Sequence, residues 1–142
     1  MEKETLNSET KIETKEYPSL LLRVKGAFAD VIVMIIFMYG ASEFFLLFEE
    51  VSESIRMSAF IFIFVLYDPL FISLFGGTIG HNFIGLKVKQ ESNELKNISF
   101  PSALLRFIIK STLGWISFLT MGGNKKKKAI HDIAVNSVVI YE

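Results

Sequence analysis

The chain has 142 residues, one domain's worth, and 51% of them are hydrophobic, including 14 phenylalanines. Basic and acidic residues balance at 15 each, so no general basic field is available to hold a nucleic acid, and the lack of cysteine excludes disulfides and thiolate metal sites. A soluble domain of this size would have trouble burying so much Phe, Ile and Leu; a lipid bilayer removes that difficulty.

Residues 1–18 read as a disordered cytoplasmic tail, rich in Glu, Lys, Thr and Ser, with no signal for cleavage after the first apolar run. The rest, 19–142, reads as one membrane domain. Its first predicted span is 24–46. As a helix, 23 residues reach about 34 Å, enough for a hydrocarbon core of about 30 Å. Arg23 stands at its edge and Asp30 inside it, seven residues or two turns apart and therefore on one face, with the small residues Gly26 and Ala27 between them. A short acidic loop, 49–56, leads to a second predicted span, 57–78, which contains Asp68 and Pro69. Carboxylates at such depth cost about 2.5–3.5 kcal/mol on insertion scales, so a partner or a task is expected for each. Proline should kink this helix.

After Gly76-Gly77-Thr78-Ile79-Gly80 the texture changes. Residues 84–89 alternate apolar and basic and suit a strand. A polar turn at 91–94 and the segment 95–98 read as the rest of a short hairpin, and the β-branched segment 137–141 suits a further strand. Together 84–99 and 135–141 form a small cytoplasmic β-like appendage. Between them lies a third helical segment, 102–121, apolar except for a narrow stripe of Arg106, Lys110, Gly114 and Ser117. It spans, dips in and returns, or lies in the interface. Lysines cluster before span one, in the 80–100 loop and at 125–128; if all of these are cytoplasmic, two crossings suffice and the third segment does not cross. The expected fold is thus all-α and integral to the membrane: two transmembrane helices, a third amphipathic or re-entrant helix, the β-like appendage, and both termini cytoplasmic.

Asp30, Asp68, Arg23, Arg106 and Lys110 are the candidate ion- or ligand-binding groups. A carboxylate in a span can bind or relay a cation or proton; equally, Asp30 and Asp68 can pair with Arg106 or Lys110 and pin the helices together. Lys125, Lys126, Lys127 and Lys128 read as contacts to anionic lipid headgroups. His81 and His131 are fifty residues apart with no metal-ligand spacing around either, so neither metal nor cofactor is expected, and no nucleophile motif points to an enzyme.

Several ordered segments resemble the RDD family. Arg23 and Asp30 are similar to its arginine and first aspartate. Gly77-Thr78-Ile79-Gly80, followed by Gly85-Leu86-Lys87-Val88, resembles its "G-T-x-G … G-L-x-V" stretch, with His81 where the family usually has lysine or arginine. Ala103-Leu104-Leu105-Arg106 is similar to "A-L-x-R". His131-Asp132-Ile133-Ala134 resembles "H-D-x-x-A", with Asp132 as the second aspartate. The resemblance implies a bacterial inner-membrane protein and a motif set of Arg23, Asp30, Gly80, Gly85, His131 and Asp132, with ligand transport as the suggested role. Two or three helices cannot enclose a pathway, so a homo-oligomer or a membrane partner is expected. A non-transporting scaffold or regulatory subunit with structural charges is the alternative.

Overall fold

The computed structural model describes residues 15–142; most of the predicted tail lies outside the described residues. Helix α1, Leu20–Phe45, begins just after Pro18, a residue suited to the entry of a helix, and meets no further proline. Helix α2 is Glu53–Phe75. It starts four residues before the predicted span because Ser52 accepts the Ile55 N–H at 3.4 Å and Glu53 occupies the positive first turn. It runs through Pro69 and stops at Gly76, whose φ of 73° is the left-handed conformation glycine takes without penalty. The Asn97 amide closes this end, donating to the Ser73 and Leu74 carbonyls at 3.2 and 3.0 Å.

A five-residue helix follows, α3, Ile79–Phe83, and then strand β1, Leu86–Gln90. Its partner differs from the expected hairpin. The antiparallel mate of β1 is β2, Ser137–Tyr141, with Val88 opposite Val139, while 95–98 contributes only a bridge of Asn97 to Lys89. Alternate residues of β1 and Val139 of β2 supply apolar side chains to one face. Leu86, Val88 and Val139 join Ile72, Ile98 and Ala103 in a buried cluster under the end of α2.

The third segment is helix α4, Phe100–Leu113, continued by a 3-10 stretch, Gly114–Gly123, and followed by the short α5, Ile130–Ala134. The tracts Glu53–Phe75 and Phe100–Gly123 are each long and apolar enough to cross a membrane by length and composition. The second of them does not run straight. β1 precedes it and β2 follows it, and the two strands are paired, so both its ends lie at the same end of the molecule. α4 climbs along α2, with Ala103 beside Ile72 in the cluster and the Phe107 ring 6.2 Å from Phe64. The 3-10 stretch returns along α1: Phe118 shares a groove with Ala27 and Val31, and Gly122 shares one with Ser19 and Leu20. The reversal falls at Gly114, where φ is 53°.

The distribution of polarity is inverted. The only buried residues of α1 are Arg23, Gly26 and Asp30, whereas Phe28, Ile32, Ile35 and Ile36 of the same helix are exposed. Across the described residues, buried polar and charged side chains are as numerous as buried apolar ones, and large hydrophobics cover the outside. That arrangement suits a surface that meets lipid.

Candidate functional site

Three buried carboxylates organise the end of the molecule where α1 begins. Asp132, at the first turn of α5, is fully enclosed. Arg106 Nε donates to its Oδ1 at 3.0 Å, and the Arg23 guanidinium binds Oδ2. The Ala129 N–H adds a bond at 3.1 Å. One residue thus ties α1 and α4 to the carboxyl-terminal segment. Burial pushes the Asp132 carboxyl up, but the Arg106 and Arg23 charges together outweigh it and hold the group well below the usual carboxylate range. Arg23 also donates to the Lys127 carbonyl at 2.7 Å.

Arg23 and Asp30 do share a face, as their spacing requires, but they do not pair. Nor does Asp30 meet Arg106 or Lys110, the partners considered for it; no Lys or Arg lies within ion-pair distance of it among the described residues. Its oxygens are met instead by neutral donors. The Tyr67 hydroxyl and the Gly80 N–H reach Oδ1 at 2.7 Å each, and Thr78 Oγ1 reaches Oδ2 at 2.6 Å. Since Thr78 gives its proton to Asp30, the short contact between Thr78 and His81 Nδ1 has the imidazole donating. His81 is neutral: burial first, then the Lys110 and Arg106 charges, depress its pKa to about 3.

Gly80 makes this geometry possible. A Cβ there would stand 2.3 Å from the Gly26 carbonyl oxygen and 2.7 Å from Asp30 Cγ, so α3 approaches α1 backbone to backbone. Gly85, by contrast, is required for its φ of 71° and has open space around it.

Asp68 does meet a predicted partner. Lys110 Nζ lies 2.9 Å from Oδ2, and Arg106 Nη1 is 4.0 Å from Oδ1. Those last two atoms are buried and each lacks a hydrogen-bond partner. Beside them, Asp30, Tyr67, Asp68 and Lys110 form the polar lining of a cavity of about 180 Å³ between α1, α2 and α4. Its other walls include Val31, Met34, Phe64 and Phe107.

His131 packs under the same network. Ser117 Oγ is 2.5 Å from its Nδ1, and burial, reinforced by Arg106, lowers its pKa to about 3. The lysine run divides. Lys126 and Lys128 turn to Glu91 at 2.9 and 2.5 Å, and Lys128 is buried, so these two are not free for headgroups; Lys125 and Lys127 remain exposed. Tyr67, Thr78 and Ser117 also enter the site. Thr78 lay in a quoted motif and Ser117 in the polar stripe of the third segment, whereas nothing in the sequence marked Tyr67.

An apolar exterior around a charged, internally paired interior defines a helical membrane-associated protein. The chain belongs to the RDD family, whose profile matches residues 17–136, most of its length. No match was found among curated proteins or among solved structures. Of the residues that resemble the family's namesakes, Arg23 and Asp132 touch, and Asp30 sits on the same face of α1 held by hydroxyl and amide donors.

Proposed function

We propose that this protein is a multi-pass membrane scaffold or regulatory subunit whose buried charges are structural. α1 and α2 cross the bilayer, the Phe100–Gly123 tract is re-entrant, and both termini are cytoplasmic. The observation that carries this reading is that each carboxylate has a partner within this one chain: Tyr67, Thr78 and the Gly80 N–H for Asp30, Lys110 for Asp68, and Arg106 with Arg23 for Asp132. A homo-oligomer or a membrane partner is what such a scaffold would hold. The test is Asp30→Asn: detergent stability and partner pull-down fall while ion gradients in proteoliposomes stay as in the parent. A mutant as stable and as well bound as the parent defeats the reading. Topology is read separately by single cysteines on this cysteine-free chain. Ser52→Cys labels from outside only and Ser92→Cys from inside only.

A second reading, transport of a small cation or proton, is favoured by the cavity at Asp30, Asp68 and Lys110 and by the unpartnered Asp68 Oδ1 beside it. It requires an oligomer. It predicts cation- or proton-driven flux that Asp68→Asn abolishes; equal flux in mutant and parent ends it.

A further inference from the structure

The divided lysine run borders a groove that neither reading uses. This groove, about 610 Å³, lies between the start of α1 and the end of the 3-10 stretch, and is lined by Ser19, Leu20, Leu119, Met121, Lys125 and Lys127 among others. Ligand pockets commonly fall between about 300 and 1,000 Å³. Two features give it a direction. One wall is apolar and exposed, Leu20 and Leu119 at 45% and 66%, so it opens onto the apolar exterior of the molecule. The opposite rim carries two ammonium groups and the first turn of α1. That turn holds no acidic residue, and Ser19 makes no side-chain cap, so its N–H groups add positive potential.

The rim is held in place. Asn124 Oδ1 accepts the Lys126 and Lys128 N–H groups at 3.0 and 3.3 Å, and its amide donates to the Lys128 carbonyl at 3.1 Å. Lys127 is held at φ 47°, uncommon for a residue with a side chain, by Arg23 on its carbonyl. The outcome is alternation: Lys126 and Lys128 go to Glu91, while Lys125 and Lys127 go to the groove. Lys127 Nζ spends one donor on the Tyr17 carbonyl at 3.1 Å and has others left.

We infer that this groove seats one anionic phospholipid, its phosphate between Lys125, Lys127 and the α1 amino terminus and its acyl chain along Leu20 and Leu119. Charge complementarity selects the headgroup, and continuity with the lipid-facing wall selects a lipid over a soluble anion. The inference does not depend on whether the protein carries ions.

The experiment is native mass spectrometry of the full chain in neutral detergent, titrated with dioleoylphosphatidylglycerol. Dioleoylphosphatidylcholine is the control lipid and inorganic phosphate the competitor. Retention of phosphatidylglycerol should fall about fivefold for each rim lysine removed, in Lys125→Ala and again in Lys125→Ala/Lys127→Asn. Asparagine is chosen because it tolerates the left-handed backbone. Lys125 is exposed, so the single variant keeps the test valid even if the double variant folds poorly. Lys126→Ala should bind as the parent does. Unchanged retention in Lys125→Ala, an equal loss in Lys126→Ala, or equal retention of phosphatidylcholine would each overturn the seat. Displacement of the lipid by millimolar phosphate would overturn the lipid assignment in favour of a free anion.

Discussion

Asp132→Asn is the sharpest perturbation of this molecule. Asparagine has the same shape, so no cavity is made; the charge disappears, and one of the two accepting oxygens becomes an N–H donor facing Arg106 or Arg23. The Arg23 and Arg106 side chains are 3% and 2% exposed, and Asp132 is 0% exposed. Without the carboxylate, two guanidiniums remain enclosed, with Asp68 at 4.0 Å as the nearest acid to Arg106. Removing one member of such a buried set costs about 3–5 kcal/mol. For a chain of this length each kcal/mol moves the melting midpoint by about 2–4 °C, so a drop of roughly 6–20 °C is expected. The assay is thermal unfolding in detergent, followed by near-UV dichroism and by loss of the monodisperse gel-filtration peak. A triple variant, Arg23→Met/Arg106→Met/Asp132→Leu, should recover most of the loss, because replacing a whole buried ionic set with apolar groups is often neutral. An Asp132→Asn midpoint within about 1 °C of the parent would refute the claim that this carboxylate clamps α1 and α4 to the tail.

Gly80→Ala should cost about 1–3 kcal/mol by overpacking, since its Cβ would meet the Gly26 carbonyl at 2.3 Å; a yield and midpoint equal to the parent would show that α3 has room to move. Gly85→Asn should be nearly silent in the same melt while Gly85→Ala is not, because the constraint there is a φ of 71° and not space. Acidification should destabilise the fold through His81 and His131. Each is depressed from 6.5 to about 3 when folded, so the unfolded chain binds the extra protons. Stability from this source is then complete above pH 6.5 and is lost as pH falls toward 3, by up to about 1.4 kcal/mol per pH unit for each histidine. Melts between pH 7.5 and pH 5 check the slope, and His131→Gln should shallow it; a midpoint that rises on acidification would show the imidazoles to be charged.

Much of this protein could be read from residue order. The apolar runs, their embedded aspartates and the glycine punctuation after the second run are local properties, and local chemistry decides them; the start of α2 at Ser52, inside the expected loop 49–56, was not read. Asp68 with Lys110 was likewise open to reading, since acids in one apolar run and bases in another must meet or stay costly. The partners of Arg23 and Asp30 were not. Spacing shows that two residues share a helix face, but it does not say what that face meets. The face met α5 at one level and the Gly77–Gly80 turn at the other, so Arg23 went to Asp132 and Asp30 to Thr78, Tyr67 and a backbone N–H. The lysine run is a similar case, because one left-handed residue sends alternate side chains to opposite sides.

Hydrophobicity and its interruptions, summed along the chain, sufficed to place it with lipid and to mark the residues that must be sheltered, because transfer free energies belong to each side chain wherever it sits. Folding in three dimensions decided which groups shelter which. Pairing β1 with β2 closes a loop of nearly fifty residues and brings both ends of the third tract to one end of the molecule. That closure rests on contacts between distant residues, and no local pattern contains them.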